Sequence, residues 1–176
     1  MRPMELLPRL ARDGDWQRDE AGPPRREYLV FDVGGEEYGI DLLRLREIVR
    51  HRTATEVPRT PPFIRGVVAI RGEVMPQIDL ARRLRLPEAA SRPAARSLIV
   101  PRGDESFALL VDRVRGVIRL GDDQIEPAPR LFAGDGEFIA GIGRLGPRLV
   151  LLLDLDGILR FNLGEGRRGL AAKAAP

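Results

Sequence analysis

The chain has 176 residues, of which 29 are basic and 26 acidic, and the basic residues are arginine except for one lysine. It contains one histidine and no cysteine, so disulfides, thiolate metal sites and cysteine nucleophiles are excluded. This length accommodates one domain, or two small lobes that share an interface. Because aromatic residues make up only 5% of the chain, its net charge of +3 is weak evidence for a protein that stacks nucleic-acid bases.

The two ends of the chain are the segments least able to bury an apolar face. Residues 1–26 alternate charged and small residues with glycine and proline, so we expect a flexible arm. Residues 162–176 are expected to form a flexible tail. The start lacks the apolar stretch of a signal peptide, and the longest aliphatic run, Leu149–Leu153, is far shorter than the ~20 residues of a membrane-spanning helix. We therefore expect a cytoplasmic protein.

Between these ends, short apolar runs rich in valine, isoleucine and leucine alternate with turn residues. This pattern favours strands over helices and predicts roughly ten strands. The expected fold class is all-β, with only short helical turns.

The strands belong to an internal repeat made of two ungapped blocks. The first block aligns residues 29–40 with residues 98–109, and each copy has a strand, a glycine-containing turn and a return strand that opens with an aromatic residue. This order predicts a hairpin in each copy. The second block aligns residues 63–67 with residues 138–142. The repeat predicts two similar β-lobes that are too small to be stable alone and pack on each other along a shared seam.

The repeat also suggests where each lobe begins and ends. We expect lobe 1 at about residues 40–97 and lobe 2 at about residues 98–153, and an exchange of strands from residues 27–39 is left open. The second block ends in an Asp-Leu pair in both copies, and Asp79 and Asp154 are placed to cap a short helix after each lobe. A groove is expected between the lobes.

Three features imitate chemical motifs, and each has a simpler structural explanation. Gly141–Gly146 reads G-x-G-x-x-G, but a strand follows where a nucleotide-binding helix is required, which favours a hairpin. Asp154–Glu165 imitates a calcium loop, but Ile158 occupies a ligand position, so a helix cap is the better explanation. His51 has no triad pattern or second metal ligand near it in sequence. We find no catalytic constellation and no metal site.

Seven arginines recur at even spacing, which on strands places them on one face. They are Arg44, Arg46, Arg50, Arg52, Arg113, Arg115 and Arg119. Such a stripe is ordinarily a solvated face, although it also suits an acidic partner. A basic small-barrel protein that binds nucleic acid is therefore kept as an alternative function.

The run Gly66–Leu80, GVVAIRGEVMPQIDL, closely resembles the central signature of the CheW-like chemotaxis coupling domains. The resemblance covers about residues 27–161. It departs from the family at Ala69, which replaces a usual asparagine, and at Gln77, which replaces a usual aliphatic residue. Six further segments agree with the family in order and spacing: Tyr28–Phe31, Glu36–Ile40, Leu45–Ile48, Pro58–Phe63, Val111–Val114 and Leu152–Leu155.

The resemblance implies a fold of two SH3-like five-stranded β-barrel lobes in pseudo-repeat, with short helices after each lobe. It implies a non-catalytic adaptor, without cofactors, that bridges the regulatory domain of the histidine kinase CheA to the cytoplasmic tips of chemoreceptors. Such a protein is cytoplasmic and is recruited to membrane receptor arrays through its partners.

The resemblance also implies functional positions. Three residues match positions implicated in receptor coupling: Leu45, Glu47 and Arg71. Three others match positions near the kinase interfaces: Leu29, Leu42 and Leu131. We expect Glu47 and Arg71 to pair across the first lobe, where an ordinary ion pair that orients the hairpin turn is the alternative. Each of the three kinase-side leucines also fits a place in the core.

Overall fold

The computed structural model describes residues 23–129 and 138–161. Within these ranges the chain is mostly strand, which confirms the all-β prediction. The strands are β1 (Arg25–Val33), β2 (Glu36–Asp41), β3 (Glu47–Arg50), β4 (Ile64–Ile70), β5 (Glu73–Asp79), β6 (Arg96–Arg102), β7 (Glu105–Val111), β8 (Arg113–Gly121), β9 (Ile125–Pro127), β10 (Ile139–Leu145) and β11 (Arg148–Leu153). Two four-residue helices, α1 (Leu80–Arg83) and α2 (Leu155–Ile158), follow β5 and β11.

The strands form two sheets that exchange hairpins. One sheet has the order β3-β6-β7-β5-β4 and, with α1, forms what we call the first lobe. The other has the order β8-β1-β2-β11-β10-β9 and, with α2, forms the second lobe. The hairpin β1–β2 therefore completes the sheet of the second half of the chain, and β6–β7 completes the sheet of the first half.

This pairing corrects the lobe boundary expected near residue 97. Residues 98–111 are expected in lobe 2, but they belong to β6 and β7 and lie in the first lobe. The strand exchange left open for residues 27–39 is present, because β1 and β2 lie in the second lobe. A sequence repeat shows which segments are alike, but it does not show which copy a hairpin joins.

Equivalent contacts hold the two exchanged hairpins in place. The second strand of each hairpin pairs in parallel with a strand from the other half of the chain. β2 pairs with β11, with Gly39 opposite Leu152, and β7 pairs with β5, with Ala108 opposite Gln77. These two pairs correspond under the repeat. The bulges also correspond, since the register shifts between Ile64 and Gly66 in β4 and between Ile139 and Gly141 in β10.

The largest hydrophobic cluster draws on both lobes, as the shared seam requires. Leu29, Phe31 and Val33 of β1 point into it, while Tyr28 and Val30 point into a smaller cluster within the second lobe. This alternation is the two-residue period of a strand buried on both faces. Both helices add side chains to the shared cluster.

The described structure begins inside the segment expected to be a flexible arm. β1 starts at Arg25, and Arg25 and Arg26 pair with Gly121 and Leu120 of β8. The sheet thus includes two residues of the arm; residues 1–22 of the arm and 162–176 of the tail lie outside the described residues. No helix in the described ranges is long and apolar enough to cross a membrane.

We predict that Gly66→Ala destabilises the protein strongly. Gly66 has φ +135°, and a Cβ there would lie 2.0 Å from the carbonyl oxygen of Thr55, which accepts the Val67 amide. Gly35→Ala is the matched control, because Gly35 also has positive φ but open space around it. In denaturant unfolding, Gly66→Ala should lower the free energy of unfolding by at least about 2 kcal/mol more than the control does. Equal losses would contradict the close approach.

Candidate partner-binding site

A tight turn between β2 and β3 presents the most exposed large apolar side chain among the described residues. The Asp41 carboxylate accepts the Leu43 amide at 2.9 Å, and the Leu45 amide donates to the Leu42 carbonyl at 3.2 Å. These bonds close a single 3₁₀ turn, Leu42–Arg44. Its geometry leaves Leu43 93% exposed. The turn offers an apolar contact to a partner.

Glu47 begins β3, three residues after this turn, and Arg71 contacts it. Arg71 sits in the β4–β5 turn with φ +52°, and its Nε donates to Oε2 of Glu47 at 2.9 Å. The expected contact between the two residues is therefore present. The Arg71 side chain is 75% exposed and that of Glu47 is 21% exposed. Much of the guanidinium remains available to a partner.

A second ion pair extends this surface along β5. An Arg46 nitrogen lies 2.9 Å from Oε2 of Glu73, and another donates to the Ser106 hydroxyl at 3.0 Å. A hydrogen bond with Ser106 holds the pKa of Glu73 below its ordinary value, and the hydrogen bond from Arg46 lowers it further. Val74 is exposed next to this pair. Sequence reasoning selected Arg46 only as part of the arginine stripe and did not select Glu73, Leu43 or Val74, because the ion pair between Arg46 and Glu73 depends on the fold.

The four leucines selected from sequence have different environments. Leu45 and Leu42 are half-buried and pack against the shared core, so each keeps some surface for a partner. Leu29 has no exposed surface and lies in the core. This burial corrects the expectation that Leu29 contacts a kinase, because β1 lies between β8 and β2 and is covered on both faces. Leu131 lies outside the described residues.

The arginine stripe is largely neutralised. Arg115 and Arg119 of β8 pair with carboxylates of β1, Asp32 and Glu27, at 2.8 and 2.9 Å. Arg44 lies in the 3₁₀ turn rather than on a strand, so it does not share the predicted face.

Asp154 and Gly141 have the structural roles expected for them. Asp154 caps α2 by accepting the Asp156 amide at 3.0 Å, as Asp79 caps α1. Gly141 lies within β10, and Gly146, with φ +56°, forms the β10–β11 turn. The calcium-loop and nucleotide-loop patterns are thus a helix cap and a hairpin.

A cavity of about 300 Å³ lies in the first lobe under the loop that precedes β4. His51 lines this cavity. Burial lowers the pKa of this histidine, and the positive charges of Arg65 and Arg92 lower it further. Gln77 also lines the cavity and donates to the Arg52 carbonyl at 3.1 Å. Within residues 23–129 and 138–161, no three carboxylate or imidazole groups are grouped to hold a metal ion. The cavity carries no recognisable catalytic set.

Comparison with known proteins agrees with this two-lobe, partner-binding arrangement. A family model described as the CheW-like domain matches residues 27–162. The chain belongs to this family. It is 34% identical to the chemotaxis protein CheW of Klebsiella aerogenes, over 76% of this chain and 81% of that protein. It is also 34% identical to protein FrzA of Myxococcus xanthus, over 68% of this chain and 74% of that protein.

A solved CheW structure supports the fold. The scaffolding protein TtCheW from Thermoanaerobacter tengcongensis matches with a TM-score of 0.74 and 30% identity, covering 81% of this chain and 97% of that one. This match confirms the expected pair of SH3-like lobes.

We predict that Asp156→Asn lowers the melting temperature in a pH-dependent way. An Arg44 nitrogen lies 2.8 Å from Oδ1 of Asp156, and this hydrogen bond holds the pKa of Asp156 below its ordinary value. The stabilisation is therefore present above the ordinary pKa and disappears as the pH falls through the lowered one. The difference in melting temperature between wild type and variant should shrink to zero in acid.

Asp104→Asn, in the exposed β6–β7 turn, is the control for a change in surface charge. A difference for Asp156→Asn that stays constant from neutral pH into acid would contradict the ion pair as its cause.

Proposed function

We propose that this chain is a non-catalytic adaptor that couples chemoreceptors to a CheA-type histidine kinase in a chemotaxis-type signalling complex. The observation that carries the proposal is the family match, which spans both lobes. The names of the relatives, chemotaxis protein and scaffolding protein, support it.

The chemistry of the described residues supports an adaptor rather than an enzyme. Acid–base catalysis needs titratable groups that converge on a cavity. Here His51 lines the cavity beside Arg65 and Arg82, while Asp79 is fully buried under Arg65 and Arg92 as a helix cap. Such a carboxylate is committed to structure.

We assign the receptor-facing surface to Leu45, Glu47 and Arg71, with Leu43 beside them. Exposed apolar side chains next to an ion pair suit an amphipathic helix, which supplies aliphatic contacts at helical spacing. The cytoplasmic tip of a chemoreceptor is a partner of this kind. The kinase regulatory domain would bind at Leu42 and Leu131, so that one chain holds both proteins. The adaptor would act in the cytoplasm, at receptor arrays to which its partners recruit it.

The alternative, a basic barrel that binds nucleic acid, is not supported. Four of the seven evenly spaced arginines pair with acidic side chains at 2.8 to 2.9 Å. A nucleic-acid site needs cations that are free to meet phosphates.

The proposal is tested by binding. The purified chain should co-elute in gel filtration with the regulatory domain of a CheA-type kinase from the same genome. Failure to bind any CheA encoded in that genome would refute the proposed function.

Arg71→Ala should weaken binding to a receptor-tip fragment more than binding to the kinase regulatory domain. Because the Arg71–Glu47 pair is exposed, its removal should cost less than about 1 kcal/mol of stability. Binding is measured by titration calorimetry, with melting temperature recorded alongside and Arg113→Ala, an exposed arginine of β8, as control. If binding to both partners weakens equally and the melting temperature falls, Arg71 is a structural residue.

A further inference from the structure

One guanidinium lies between the two lobes. Arg83 ends α1, and its Cζ lies 4.3 Å from the ring centroid of Phe63 and 4.6 Å from that of Phe138. These two phenylalanines occupy the same position in the two copies of the repeat. Arg83 is therefore contacted by the equivalent residue of each half. A third ring, Phe161, lies 5.7 Å away.

The same guanidinium binds the end of the second lobe's helix. Its Nε donates to the Ile158 carbonyl at 2.9 Å, and NH2 donates to the carbonyls of Arg160 and Gly157 at 3.2 and 3.4 Å. The last carbonyls of a helix lack partners within the helix. Arg83 of the first lobe thus donates to the carbonyl of the last residue of α2, Ile158, and to two carbonyls beside it.

Each phenylalanine is fixed to the start of its own helix. The Asp79 amide donates to the Phe63 carbonyl and the Asp154 amide to the Phe138 carbonyl, both at 2.8 Å. The two halves therefore present matching ring-and-helix units. The contact with Arg83 is not duplicated, because the repeat places Ile158 at the position equivalent to Arg83.

We propose that Arg83 is a clasp that sets the orientation of the first lobe relative to the second. A guanidinium can stack its flat face on rings while its edge donates hydrogen bonds in a fixed fork. A lysine ammonium is a point charge and cannot do both with the same geometry. The clasp concerns orientation and does not depend on which proteins the chain binds.

Other contacts keep the lobes together when the clasp is removed. The shared core joins them, Arg102 donates to the Leu159 carbonyl, and Arg44 pairs with Asp156. Loss of Arg83 should therefore loosen the orientation without separating the lobes. This distinguishes a clasp from a residue that only adds stability.

The absence of cysteine makes the full chain suitable for site-directed spin labelling. Cysteines replace Asp104, exposed in the β6–β7 turn of the first lobe, and Leu149, 52% exposed on β11 of the second. The distance distribution between the two labels is measured by pulsed electron–electron double resonance. Melting temperatures of the labelled proteins establish that the labels leave the fold intact.

In the parent protein the distribution should be narrow. Arg83→Ala should broaden it and move its maximum, and Arg83→Lys should do the same to a smaller extent. Arg113→Ala and Arg113→Lys, at an exposed position of β8, should leave it unchanged.

A distribution that superimposes on the parent's in both Arg83 variants would overturn the proposal, even if the melting temperature falls. If Arg83→Ala does not fold, the distance distribution of Arg83→Lys alone decides: one that superimposes on the parent's would overturn the proposal. Because no partner is present, the outcome is independent of the proposed adaptor function.

Discussion

Each sheet of this protein is completed by a hairpin from the other half of the chain, and the rest of the structure depends on that exchange. The parallel pairings of β2 with β11 and of β7 with β5 tie residues far apart in sequence. Neither half can close its sheet alone, so the two lobes form together around one apolar cluster. A small lobe thereby gains a core of a size that it could not build by itself.

The exchange also explains why the candidate binding surface is where it is. The chain leaves the second lobe at Asp41 and enters the first at Glu47, and the 3₁₀ turn between them exposes Leu43 at the junction. Glu47 then meets Arg71 of the neighbouring β4–β5 turn. Partner contacts at a crossing between lobes are well placed to sense lobe orientation, which Arg83 would fix where the C-terminal ends of α1 and α2 meet.

Local features could be predicted from sequence, while non-local pairing could not. The hairpins and the caps at Asp79 and Asp154 follow from residues a few positions apart, and the structure contains them. The boundary near residue 97 was wrong because the repeat does not specify which copy a hairpin joins. Leu29 and Leu43 are equally apolar, yet one is fully buried and the other almost fully exposed. Glu47 and Arg71 were found through family resemblance, and no local pattern indicates that Arg83 reaches Phe138.

As the proposed adaptor, one chain would hold a kinase and a receptor at the same time. The direct measurement is co-sedimentation of a CheA-type kinase with vesicles that display receptor tips, with and without the purified chain. The amount of kinase pelleted with the vesicles should rise when the chain is added and fall back when the Arg71→Ala variant replaces it. Kinase that sediments equally in the presence and absence of the chain would contradict the proposed adaptor role.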